Sequence, residues 1–174
     1  MSSHDPGCPF CNIATFYPPS PTPSANHDQT TPSSFVVLST TLCVAFLDIM
    51  PLSPGHLLIT TRAHREKISD VNSSEAAELG IWVSRLSRVM ARVTGVWDWN
   101  IVQNNGAAAS QVVPHVHYHL VPRPNLDGEA RNRSFTMFGK GQRSELDDGE
   151  AAELVGKVKG ELERELKRIE REKL

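Results

Sequence analysis

No run of about 18 apolar residues occurs in the chain, which excludes a membrane-spanning helix. An excess of one charge is missing as well: 18 Lys and Arg stand against 20 Asp and Glu, a formal net charge of −2. So balanced a chain is neither a nucleic-acid-coating surface nor a polybasic membrane anchor, and no nucleic-acid or membrane partner is expected. Cysteine is scarce, at three residues, and does not read as a disulfide framework. The opening MSSHDPGCPF lacks the basic region and apolar stretch of a secretory signal. The cytoplasm, extending to the nucleus, is therefore the expected location. No internal repeat is found.

What is present is an ordinary core-forming composition, 39% hydrophobic over 174 residues, suited to one domain. Residues 1–7 read as a flexible end, and 8–124 as the domain proper. Within it, residues 17–34 are a Pro/Ser-rich insert that reads as a surface loop. Runs rich in β-branched and aromatic residues predict strands over 35–40, 42–49, 56–64, 97–105 and 112–123. Asn72 or Ser73 caps a helix reaching Thr94, with Leu79, Val83, Leu86, Met90 and Val93 as its apolar stripe and Gly95 as its stop. Residues 125–174 read as a polar linker and a charged C-terminal helix. Its stripe of Leu154, Val158, Leu162, Leu166 and Ile169 predicts one face packed on the domain.

Seven histidines serve the chain, and three of them, His115, His117 and His119, fall within five residues. In a strand such alternate residues share a face, with neighbouring imidazoles roughly 6–7 Å apart. That spacing suits metal chelation, or one nucleophilic imidazole flanked by proton-holding ones. A polar face without chemistry is the weaker reading, since burying three imidazoles costs free energy unless each has a partner. Imidazoles titrate near neutrality, which suits proton transfer. Just upstream, Asn104 and Gln111 bracket a loop of small residues at 106–110, where N–H groups and side-chain amides can hold an anion such as phosphate.

The run His115-Val-His-Tyr-His119-Leu-Val resembles the signature of the histidine-triad superfamily of nucleotide hydrolases and transferases. CPFCNI, AFLDIMPLSPGHLLI, RAH and NIVQNNGAAASQVVPHVHYHLVPR recur in the order and spacing of that superfamily, over roughly residues 8–124. The resemblance is closest to the adenosine 5′-monophosphoramidase branch, with the diadenosine-polyphosphate-cleaving branch next. It implies an α+β fold, a five-stranded antiparallel sheet with a long helix and a C-terminal helix, in a two-fold homodimer built from residues 69–94 and 97–105. His117 becomes the nucleophile on the α-phosphorus. His119 binds phosphate and helps the leaving group take its proton, and His56 supports the nucleophile side. Asp48 takes the ribose hydroxyls, and Phe10, Ile13, Phe46, Leu47 and Ile49 wall the base. Asn104 stands at the leaving-group side, and Ser110, Gln111, Val112 and Val113 form the phosphate loop. The chain departs from the pattern at Val112, where Ser or Thr is usual. It departs again in having no Trp after Trp99, which leaves Phe135 or Phe138 as replacements in the tail.

Cys8-x-x-Cys11 has the spacing of zinc-binding thiolates. In a subset of the superfamily a histidine after strand three and the first triad histidine complete the site, which implies a structural zinc on Cys8, Cys11, His64 and His115. A reduced, metal-free pair is the alternative. Cys43 lies in an apolar strand and reads as core. The expected activity is hydrolysis of AMP–amine conjugates through a nucleotidyl-histidine intermediate, without a catalytic cofactor. The alternatives are cleavage of dinucleoside polyphosphates or adenylated conjugates, a nucleotide-binding regulatory module, and a zinc hydrolase using all three triad histidines.

Overall fold

The computed structural model describes residues 4–20, 33–124 and 145–172. Five strands form one antiparallel sheet: β1 (Val36–Ser39), β2 (Cys43–Leu47), β3 (Leu57–Thr61), β4 (Trp99–Gln103) and β5 (His117–Pro122). Their order is β1-β2-β3-β5-β4. Every residue of β1, β2 and β3 is buried. Those strands read as near-continuous apolar runs because both faces of the sheet are covered there.

Alternate side chains point to opposite faces. Val37, Ala45, Leu57, Ile59 and Leu120 pack under the helices α2 (Ser73–Thr94) and α3 (Asp148–Arg171). Val36, Val44, Phe46 and Leu58 meet the short helix α1 (Pro9–Phe16) through Phe10 and Ile13. Register pairs His119 with Leu58 and His117 with Thr60, so both imidazoles lie on the α1 face of the sheet.

α2 starts and stops where its sequence signals say. The Asn72 side chain accepts the Glu75 amide at 2.9 Å, and Gly95, in the left-handed region at φ 73°, closes the end. The expected stripe is too narrow, however. Trp82 and Val89 are buried as well, while Val83 and Val93 are only partly covered. A helix packed on both a sheet and a second helix needs the wider face.

Three features of the chain's organisation go beyond the sequence reading. Pro9–Phe16 form a helix with Pro at its first turn. Residues 4–7, expected to be loose, fold back onto that helix, with the Asp5 amide donating to Cys11 Sγ at 3.4 Å. The ends of the Pro/Ser-rich insert are structural: Tyr17 is buried, and its hydroxyl donates to the Ser34 carbonyl at 3.1 Å. Arg62 pins this region by donating to the carbonyls of Ala14, Tyr17 and Thr40 and to Ser39 Oγ. Residues 21–32, and the segment 125–144 with Phe135 and Phe138, lie outside the described residues. Among the described residues no helix is long and apolar enough to cross a membrane.

α3 is held to α2 by charge as well as apolar packing. Glu165 is buried and accepts from Arg88 Nε at 2.8 Å and Arg92 Nη1 at 2.5 Å. Burial pushes the Glu165 carboxyl up, but hydrogen bonds from Arg92 and Arg88 outweigh it and hold its pKa below the ordinary 4.5. A depressed native pKa stabilises the fold above the unfolded value and is lost as pH falls through the native one. Urea midpoints should therefore drop from about pH 5 downward, and the drop should be shallower in Glu165→Gln. Equal slopes for the two proteins would contradict this account.

Candidate active site

β5 begins at His117, one turn-rich stretch later than its sequence suggests, so His115 precedes the strand rather than sharing its ladder. The triad therefore divides. His117 and His119 stay together, ring centroids 4.8 Å apart, while the His115 ring sits beside the Cys8 and Cys11 sulfurs.

The proton positions of the working pair follow from their partners. His117 Nδ1 donates to the His115 carbonyl at 2.6 Å. That bond leaves the Nε2 lone pair available. Burial also lowers the His117 pKa below the ordinary 6.5, against the opposing pull of the His115 carbonyl and Asp48, so the neutral nucleophilic form prevails at pH 7. On the other histidine, the Leu52 amide donates to His56 Nδ1 at 3.2 Å. The His56 proton then resides on Nε2, 2.9 Å from His119 Nδ1. His119 accordingly carries its own proton on Nε2, the atom needed to protonate a leaving group. His56, expected to support the nucleophile side, is hydrogen-bonded to His119. Asp48 Oδ2 stands 3.4 Å from His56 Nδ1.

His117 and His119 line a pocket of about 510 Å³, within the range of small-molecule sites, with His56 behind His119 and outside the lining. Phe10, Ile13, Phe46, Leu47 and Ile49 line the pocket, and so do Asp48, Asn104, Ser110, Val112 and Val113. Phe10 meets His117 edge-on at 5.1 Å and Phe46 at 5.3 Å, so α1 and β2 brace His117. Gln111 is an exception. It is buried outside the lining, accepts the Gly106 amide at 2.6 Å and donates to the Glu66 carbonyl at 2.8 Å, which makes it a brace for the loop. Ser110 holds the left-handed region at φ 64°, which costs a non-glycine residue about 1–2 kcal/mol. Pro9, Asn12, Phe16, Ser34, Met50 and Leu58 complete the lining. Reading α1 as a helix would have found Asn12 and Phe16, which follow Pro9 and Ile13 by three residues.

On the far side of Phe10, the donor atoms of Cys8, Cys11, His64 and His115 lie within 4.8 Å of one another. Cys8 Sγ is 3.4 Å from His115 Nδ1, Cys11 Sγ 3.4 Å from His64 Nδ1, and Cys11 Sγ 3.7 Å from His115 Nδ1. A tetrahedral zinc with ordinary bond lengths has sulfur–nitrogen edges of about 3.5–3.6 Å. His115 Nε2 donates to the Thr61 carbonyl at 2.9 Å, which aims the Nδ1 lone pair at the sulfurs. Burial lowers the His115 pKa to about 4, so the ring is neutral and ligand-competent. Burial also raises the Cys11 thiol to about 11, a shift that a bound cation reverses. These four residues can hold a metal. Cys43, with its thiol pushed up to about 12 by burial, is core as expected.

An antiparallel sheet carrying two coupled imidazoles over an apolar-walled pocket, with an adjacent Cys₂His₂ cluster, defines a protein built for nucleophilic chemistry on a bound small molecule. The HIT domain family matches residues 29–126, and the chain belongs to that family. It is 30% identical, over a 178-position alignment that covers 100% of each chain, to a Candida albicans protein named adenosine 5′-monophosphoramidase HNT1. It is 34% identical over 109 residues to a Schizosaccharomyces pombe protein named bis(5′-nucleosyl)-tetraphosphatase [asymmetrical], covering 63% of this chain and 60% of that one. A zinc-bound histidine triad family protein from Mycobacterium smegmatis shares the fold, with a TM-score of 0.67 at 24% identity over 91% of this chain and 94% of that one.

Proposed function

We propose that the protein is a nucleotide hydrolase of the adenosine 5′-monophosphoramidase type. The observation that carries this reading is the split triad: a neutral His117 with its Nε2 lone pair available, beside a His119 that carries a proton on Nε2. His117 Nε2 attacks the α-phosphorus and forms a nitrogen–phosphorus bond. The bond to the leaving amine breaks, and His119 Nε2 gives that amine its proton. A water then loses a proton to His119, attacks phosphorus, and releases AMP and free His117. No step requires a cofactor. The full-length likeness to the Candida albicans relative supports the substrate class.

Asp48 binds the ribose hydroxyls, since a carboxylate accepts from two donors. Asp48→Asn should lower kcat/KM for adenosine 5′-phosphoramidate by roughly 10–100-fold, the scale of charge-assisted hydrogen bonds. The loss should shrink with a 2′,3′-dideoxy substrate; an equal loss for both sugars would remove Asp48 from the ribose.

Cys8, Cys11, His64 and His115 hold a structural zinc in this reading. The sulfur–nitrogen edges and the Thr61 brace behind His115 support it. The zinc ties α1, and with it the base wall, to the residue two before the nucleophile. The working unit is a two-fold homodimer joined through α2 and the outer edge of β4. Exposed Ile101 on β4, Trp97 just before it and Ile81 on α2 support that surface. Sedimentation should give twice the chain mass for the native protein and a shift to monomer for Ile101→Glu. The cytoplasm and nucleus are its proposed compartments.

A further inference from the structure

A lone exposed apolar side chain needs no explanation, but a group at one site does. Among the described residues seven large apolar side chains are exposed, and four of them, Phe16, Ile49, Met50 and Val112, line the catalytic pocket. Three belong to the base end, on α1 and after β2. Val112 does not. It sits in the loop joining β4 to β5 and is 90% exposed, on the rim of a pocket it helps to line.

Sheet order gives Val112 its role. The base wall rises from α1, β2 and β3, through Phe10, Phe46 and Leu58, and the nucleophile is on β5. A nucleotide lying across the sheet therefore directs the bond to be broken away from β2, toward the β4 side. The lining contributed by the β4–β5 loop there includes Asn104, Ser110 and Val112, with Val113 beside it. Charge points the same way. Among the described residues the lining holds no lysine or arginine, and its one carboxylate is Asp48. Lys67 packs behind the loop, its Cε 3.8 Å from where a Cβ on Gly106 would lie, and is not part of the lining. A departing nucleoside polyphosphate brings several negative charges and needs cations to receive them. A departing amine with an apolar body needs only a proton, from His119, and an apolar surface.

The geometry points to Val112 as a specificity-determining residue: with Ser110 and Asn104 it forms a leaving-group subsite that favours AMP joined to apolar, uncharged amines over AMP joined to anionic leaving groups. This rests on the phosphoramidase reading and narrows its substrate class. Val112 contributes by covering the amine's apolar body as the P–N bond breaks, so its effect appears in kcat/KM, which reports the steps up to leaving-group departure.

The test uses two substrates with the same P–N bond and amines of similar basicity: AMP linked to 2-phenylethylamine, and AMP linked to β-alanine through its nitrogen. The native enzyme should favour the first by at least about tenfold in kcat/KM, the discrimination a small apolar contact can supply. Val112→Ser should cut that ratio about tenfold, mainly by slowing the phenylethyl substrate. So exposed a position tolerates the change without loss of fold, which a thermal melt verifies. A native ratio near one, or a ratio unmoved in Val112→Ser, overturns the subsite while leaving the phosphoramidase reading intact. No turnover of either substrate overturns both.

Discussion

Replacing His117 with alanine lowers kcat for adenosine 5′-phosphoramidate by about 10⁶-fold, the scale of losing the nucleophile in a hydrolase that works through a covalent intermediate. AMP affinity changes little, because Phe10, Phe46, Asp48 and His119 remain. The size follows from the division of labour in the pocket. Attack requires one lone pair, and the bond from His117 Nδ1 to the His115 carbonyl fixes where it is. No neighbour can substitute: His119 Nδ1 is occupied by His56, and its Nε2 carries the proton that the leaving group needs. Steady-state kinetics and calorimetric AMP binding on the two proteins check this. Near-native kcat in the variant would mean that water attacks phosphorus directly and would remove the covalent step.

The second large effect concerns stability. Removing the proposed zinc from Cys8, Cys11, His64 and His115 should cost about 5 kcal/mol, on the scale of a lost structural metal site. For a domain of this size that is a fall in Tm of roughly 10–20 °C. Without a cation three buried groups and the half-buried His64 face one another. Two of them are thiols, and α1 loses its tie to the residues before β5. Cys11→Ser should show a similar fall, since oxygen is a poor replacement for a zinc-bound thiolate. At a temperature where the stripped protein stays folded, kcat should change only a few-fold, as no reacting atom binds the metal. A chelator-treated protein with unchanged Tm and no metal released would refute the structural site. Loss of kcat with unchanged Tm would move the metal into the chemistry.

Legibility in the sequence varied with how local each signal was. α2 was readable to within a residue, because the Asn72 cap and Gly95 act on their own turns. The strands were readable because apolar runs bounded by turn residues have few other uses. α1 was not, since eight residues containing CxxC and a proline carry too little periodicity to separate a helix from a metal-binding loop. Tyr17 and Ser34 were lost in the composition of the insert around them. Their burial depends on Arg62, which lies far along the chain. The same holds for Glu161 and Glu165. On a charged helix they read as solvated, and only the packing of α3 on α2 sets them against Arg88 and Arg92.

The site divides along the same line. Three alternate histidines announce chemistry, and the resemblance assigned His117 its role. Pattern alone could not show that β5 starts at His117, which separates His115 from the catalytic pair. Nor could it show that His56 bonds to His119, or that Gln111 braces the loop from outside the pocket. Each depends on where one strand end falls against its neighbour, which register decides rather than spacing.

The measurement that bears most directly on the central claim is the mass of the enzyme, quenched in denaturant during turnover of adenosine 5′-phosphoramidate, with diadenosine tetraphosphate run beside it. The account predicts a transient adduct of one adenylyl group, mapped to His117, that decays as AMP appears and is absent from His117→Ala. It also predicts faster formation from the phosphoramidate than from the dinucleotide. An adduct at any other residue, turnover of the phosphoramidate by His117→Ala, or faster labelling by diadenosine tetraphosphate would contradict it.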